Sequence, residues 1–250
     1  MGTRGIIGVV KHEKTVVAKY VQWDMYPEGN GDAIREWLID SYEPDAFAKG
    51  LENCYEITDS VLKELWVNVG MDPSDTTGFV SMDVSNKFNK EYPQLGRDMG
   101  AGVLDLIQHS TGPVPIQNEI EFANESLFCE WVYILNLDTD ELEVYTGFNK
   151  EPVTKGRFAG PVNEDGYAPV RLVATFDIFD LPEKEEFVAI CEGREVARLE
   201  GTDYSEAAAE TALQDLRTGA VTAPVLEHII GYVEENMDSL MNYIAERELG

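Results

Sequence analysis

An α+β fold is predicted by three features of the sequence. β-Branched and apolar runs bounded by turn residues occur near the N-terminus and again through the middle. Amphipathic helical periods fill the stretches between them, and residues 201–250 read as helix. The expected architecture is one or more antiparallel sheets, built from an N-terminal hairpin and central strands and packed with helices. A layered αββα arrangement is one form this can take. Residues 1–200 are expected to be the α+β domain, and 201–250 a helical C-terminal region packed on it.

Gly5–Val10 and Thr15–Trp23 are apolar and β-branched, and the polar link Lys11-His12-Glu13-Lys14 joins them as a hairpin. Trp23 to Gly31 holds Pro27, Gly29 and Gly31 and ends the second strand. Asp32 then caps a helix to about Ser41, with Ile34, Trp37 and Leu38 on one face. Further helices follow over Pro44–Glu52 and over Asp59 to about Val69. Gly70–Met82 reads as a loop, Asn86–Glu91 can form a short helix, and Leu95–Gln108 reads as a longer one despite its glycines. After Thr111-Gly112-Pro113, the runs Ile116–Phe122, Glu130–Leu137, Glu141–Gly147 and Val170–Phe176 read as strands. The middle two of these close a hairpin across Asp138-Thr139-Asp140, and Glu151–Gly166 is a loop. A helix starts near Glu183, and another spans Ser205–Arg217 before Gly219. Val225, Ile229, Val233, Met237, Met241 and Ile244 then form an apolar stripe at helical spacing, read as core or as a homo-oligomer surface over 225–244.

The chain has 47 Asp plus Glu against 19 Lys plus Arg in 250 residues, a formal charge of −28. Such a balance argues against direct nucleic-acid binding through phosphates and against docking on an anionic membrane, both of which need a basic face. No run approaches the length of a membrane span and no secretory signal is present, so the expected location is the cytoplasm, that of a host cell if the chain is phage-encoded. Cys54, Cys129 and Cys191 form no C-x-x-C pair and read as buried reduced thiols.

Metal and cofactor signals are weak. Asn136-Leu137-Asp138-Thr139-Asp140 imitates the start of a calcium loop, but Glu141 and Gly147 stand where the EF-hand needs Gly and Glu. His12, His109 and His228 lack a second histidine at ligand spacing. Gly29-Asn30-Gly31 has no following Lys-Ser/Thr, and no G-x-S-x-G elbow occurs. No metal and no cofactor is expected.

The N-terminal segment carries the most information. Met1-Gly2-Thr3-Arg4 leads into the first strand, and the hairpin returns to Gln22-Trp23-Asp24-x-Tyr26-Pro27-x-Gly29-x-Gly31. This combination resembles a family of phage and bacterial proteins, of uncharacterised activity, that open with Met-Gly-Thr-Arg and carry a Gln-aromatic-Asp-x-Tyr-Pro-x-Gly-x-Gly block. Glu130–Asp138, Leu142-Glu143-Val144-Tyr145 and Leu181-Pro182 extend the likeness, which covers residues 1–40 and roughly 120–182. The resemblance implies a phage-type protein whose partner is a host or phage protein.

A more distant likeness is to N-terminal-nucleophile hydrolases of the choloylglycine type, whose first hairpin returns to an Arg-Asn-x-Asp segment. Val21-Gln22-Trp23-Asp24 falls at that place, with Val21 where the Arg would stand. This likeness implies an amidohydrolase with Thr3 as nucleophile and Asp24 beside it, and it requires that the α-amine of Thr3 be exposed.

Three readings follow. The leading one is a non-catalytic acidic binding protein acting by contact, a role that suits counter-defence or nucleic-acid mimicry. The second is the amidohydrolase. The third is a small-ligand, nucleotide-like binder in which Arg4, Gln22, Asp24, Tyr26, Gly29 and Gly31 supply charge, phenol and backbone amides. Against the third stands a plain turn in which Asp24 caps amides and Arg4 pairs with it. The acidic surplus is steepest from Glu183 onward, with sixteen acids against five basic residues.

Overall fold

A computed structural model of the chain describes residues 2–74 and 80–193. The chain divides into the units Met1–Val196 and Ala197–Gly250, and all that follows concerns the first. The expected helices over Ser205–Arg217 and 225–244 lie outside the described residues, as does the domain 201–250.

The class is α+β. Strands β1 (Gly5–Lys11) and β2 (Lys14–Val21) form the first hairpin. Its loop is tighter than the four residues expected, because Lys11 and Lys14 pair and only His12 and Glu13 turn. Both have positive φ, 55° and 61°, the backbone twist that a two-residue hairpin requires and that side chains other than Asn, Asp and Gly resist. Helices α1 (Asp32–Asp40), α2 (Pro44–Glu52), α3 (Asp59–Asn68), α4 (Met82–Glu91) and α5 (Gly102–Gln108) follow. A short strand, β3 (Cys54–Glu56), lies between α2 and α3 and pairs in parallel with β4 (Val114–Ile116). Then come β5 (Trp131–Asn136), β6 (Glu141–Thr146), β7 (Arg171–Asp177) and α6 (Lys184–Cys191).

The large sheet has the order β2-β1-β5-β6-β7. Its pairs are antiparallel except at the centre, where β1 and β5 run parallel from Gly5↔Trp131 to Val10↔Asn136. The two hairpins are therefore joined side by side, and the segment carrying α1–α5 forms the long crossover that a parallel pair demands. An all-antiparallel sheet was the expectation. The parallel join arises because β1 and β5 are apolar on both faces and bury best against each other.

Side chains of Ile7, Val9, Val17, Tyr133, Leu135, Leu142 and Val144 meet Ile34, Trp37, Phe47, Leu104, Ile107 and Phe187 from the helices in one core. The opposite face, with Ile6, Val10, Ala18, Val132, Ile134 and Tyr145, is covered by Ala123, Cys129, Phe158 and Val170 from loops. Among the described residues there is thus one large sheet with helices on one side and irregular chain on the other.

Several elements differ from their sequence reading. The helix expected over Leu95–Gln108 starts only at Gly102, because Gly100 turns left-handed at φ 58°. The strand expected over Ile116–Phe122 ends at Ile116, and Asn118 Oδ1 accepts from Ile120 N–H at 3.2 Å to start a helical turn over Ile120–Asn124. Helix α4 is longer than Asn86–Glu91 because the Ser81 hydroxyl caps Val84 N–H.

Candidate functional site

The segment from Gln22 to Gly31 closes the end of the sheet where β2 leaves and β1 begins. Met25 N–H donates to Thr3 O at 3.2 Å, and Gln22 N–H donates to Arg97 O at 3.0 Å. Asp24 adopts φ 58°, and its carbonyl accepts from Asn30 N–H at 2.6 Å and from Asn30 Nδ2 at 3.1 Å. Asn30 Nδ2 also reaches Trp23 O at 3.0 Å, while Asn30 Oδ1 accepts from Ala101 N–H at 2.8 Å. One amide side chain thus closes the turn and caps the start of α5 from a distant element. Tyr133 OH donates to Met25 O at 2.9 Å.

The two glycines are needed for space. A Cβ on Gly29 would lie 2.3 Å from Asp24 O, and one on Gly31 would lie 2.7 Å from Tyr133 Oη. Neither is a distance a real Cβ tolerates.

The predicted residues therefore fall into two sets. Asp24, Tyr26, Gly29 and Gly31 converge on the same turn, with the Tyr26 ring 3.2 Å from where a Gly29 Cβ would stand and Thr3 tied to it through its carbonyl. Arg4 and Gln22 point elsewhere. The Arg4 guanidinium lies over the Phe128 ring at 5.0 Å, so it does not make the expected pair with Asp24. Gln22 Oε1 accepts from Tyr20 OH at 2.7 Å. Asp24 caps through its carbonyl rather than its carboxylate, which is exposed, as is the Tyr26 ring.

Lys19 lies close by and was missed. It sits at 5% exposure on the helix-covered side of β2, its Nζ donating to Tyr20 O at 2.6 Å. Burial pulls its ammonium down to about 8, against the raising effect of Glu119 and Asp98, and Arg97 adds to the fall. Nothing in the sequence marked it, because a lysine in a strand ordinarily faces solvent.

A second polar cluster lies on the loop-covered face. The Arg157 guanidinium grips Glu143 with two hydrogen bonds, Nη2 to Oε1 at 2.6 Å and Nε to Oε2 at 2.9 Å. The same carboxylate accepts from Asn136 Nδ2 at 2.8 Å and from Tyr145 OH at 2.5 Å. Burial pushes the Glu143 carboxyl up, yet the bonds from Arg157, Tyr145 and Asn136 hold it below its ordinary value. Burial and the neighbouring carboxylate push the Tyr145 phenol well up. Glu143, Tyr145 and Arg157 floor an open groove of about 410 Å³, rimmed by Glu141, Leu172 and Thr175. A glutamate at an inward position of a strand was the available signal. Arg157 had none, since it arrives from a loop.

Asp138, the third residue of the calcium-like stretch, is committed to protein. Its carboxylate accepts from His12 N–H and Glu13 N–H, both at 2.7 Å, and these bonds hold its carboxyl below the usual range. Burial raises the thiols, Cys54 to about 11 and Cys191 to about 12, which disfavours the nucleophilic thiolate. Among the described residues, no group of three or more His, Cys, Asp and Glu converges as metal ligands, and no helix is long and apolar enough to cross a membrane. Comparison with protein-family models, with curated proteins and with solved structures finds no match to this chain.

Proposed function

We propose that this chain is an acidic binding protein of phage type that acts by contact with a basic surface of a host or phage protein. The observation that carries this reading is the placement of charge. Glu36 and Asp40 of α1, Asp45 and Glu52 of α2, Asp59 and Glu64 of α3, and Asp83 and Glu91 of α4 are all exposed. The exposed cations on these helices are fewer, Lys49, Lys63, Lys87 and Lys90, and others are committed to internal partners: Arg35 and Lys184 hold Asp32 at 2.8 and 2.6 Å, and Arg157 holds Glu143. A surface with a surplus of carboxylates steers a basic partner at long range, and that attraction weakens as salt rises. The turn at Asp24–Gly31 supports the reading in another way, since most of its polar backbone and the Asn30 side chain serve to brace the sheet end.

The test is capture from host lysate with the purified chain at low and at high salt, together with an intact-mass measurement. A basic protein retained at about 50 mM salt and released at about 0.5 M is the expected result. Turnover of an amide substrate by a chain whose mature N-terminus is Thr3, with no protein captured, would overturn it in favour of the amidohydrolase.

A further inference from the structure

The two outer strands of the large sheet are finished differently. The free edge of β2 is partly covered: Glu119 N–H donates to Ala18 O at 2.9 Å, and the turn at Ile120–Asn124 packs along it. Lys14 also stands at its start, and edge lysines discourage strand addition. By contrast, β7 pairs only with β6 among the described residues. It contains no proline, its one cation is Arg171 at its start, and it exposes Leu172 at 51% together with Thr175. Alternate backbone N–H and C=O groups along an edge strand point away from the sheet and remain available for a further ladder.

Two details give this edge a preference. Val173 has no partner on β6, where Val144 pairs with Ala174 and Tyr145 with Leu172. That bulge brings Leu172 and Thr175, three residues apart, onto the same rim of the groove floored by Glu143 and Arg157. At the end of the groove, rim residue Glu141 and Asp177 are direct cross-strand partners, two carboxylates on the same face at the open end of the pair. Like charges so placed repel. Glu141 accepts from the Thr139 hydroxyl at 2.7 Å and Asp177 from Phe179 N–H at 2.9 Å. Among the described residues neither has an ion pair, because the groove's own cation, Arg157, is bound to Glu143.

We propose that the outer edge of β7 accepts an extended basic peptide segment of a partner protein as a sixth strand. Lysine or arginine side chains of that segment reach Glu141 and Asp177, and its apolar side chains lie on Leu172 along the groove. Main-chain bonds supply the affinity of such an addition, and alternate side chains supply its selectivity. The proposal rests on the contact reading above and names the surface and the chemistry of the partner.

The test uses the full chain and a synthetic peptide of about eight residues whose alternate, groove-facing positions run from Lys at one end to Val at the other, with Thr between them. One twin carries Glu for Lys and another a central Pro. Calorimetry should show the Lys peptide binding and both twins weaker by about tenfold or more. Amide exchange in β7 should slow on binding. A Leu172→Lys/Thr175→Lys variant, altered only at exposed positions, should lose about tenfold in affinity with its thermal midpoint unchanged. Binding that leaves β7 amides unprotected, equal affinity for the Glu twin, or full affinity in the double variant would each overturn the proposal. So would a concentration-dependent dimer that the double variant dissolves, because the edge would then belong to a second copy. If the double variant still captures the lysate protein at low salt but neither chain binds the peptide, the edge assignment fails and the contact reading stands. If the wild-type chain binds the peptide with β7 protection yet captures no protein from lysate, the edge assignment stands and the contact reading fails.

Discussion

Asn30 does more for the N-terminal corner than any residue in the motif around it. Its side chain donates to Trp23 O and Asp24 O and accepts from Ala101 N–H, so removing it leaves Trp23 O and Ala101 N–H without it and Asp24 O with only the Asn30 N–H. Asn30→Ala is expected to cost about 2–4 kcal/mol, read by urea denaturation, with faster amide exchange at Ala101. Lys19 works in the opposite direction, because its folded-state value of about 8 lies below the 10.5 of an ordinary lysine. Between those two values the unfolded chain binds more protons, so stability rises with pH across that window, and below it the buried charge opposes folding in full. Lys19→Met is therefore expected to be more stable than the parent by about 1–3 kcal/mol at pH 7. The gap should narrow as pH climbs toward 10.5, and a parent and variant with parallel pH profiles would show that the amine is solvated.

At the scale of elements, the first hairpin holds its turn through a contact that lies far away in the chain. His12 and Glu13 take left-handed backbone angles, and the Asp138 carboxylate binds both amides across a separation of 126 and 125 residues. The turn of the β5–β6 hairpin thus serves as the anion for the turn of the β1–β2 hairpin. Asp138→Ala is expected to leave both hairpins folded while amide exchange at His12 and Glu13 accelerates. Because the Asp138 carboxyl is held below its usual range, the tie is complete at neutral pH and is lost as pH falls through that depressed value. Exchange that is unaltered in the variant would mean that the turn stands by itself. The hairpins, α1, α2 and α3 were legible in the sequence, since each shows its own period and its own stop signal. Helix α5 was read too long because Gly100 looks the same in sequence whether it continues a helix or turns left-handed.

Over the whole molecule, the charge of −28 is a standing repulsion that folding must overcome. Added salt screens it. The thermal midpoint is expected to rise by several degrees between about 20 mM and about 0.5 M NaCl, measured by circular dichroism. A flat response would mean that the acids are already spaced beyond each other's reach.

What the sequence determined was local: an α+β class, two hairpins, helices of about the right extent, and an acidic surplus. The glycine block was marked as a turn, but not as the brace that Asn30 makes of it. Tertiary structure alone decided that β1 and β5 run parallel, that Arg4 stacks on Phe128 rather than pairing with Asp24, and that Arg157 descends on Glu143 beside an open edge. The reason is physical. Periodicity and turn chemistry act over a few residues and leave a trace there, whereas a pairing across more than a hundred residues depends on which faces bury best together, and no short stretch of sequence records that choice.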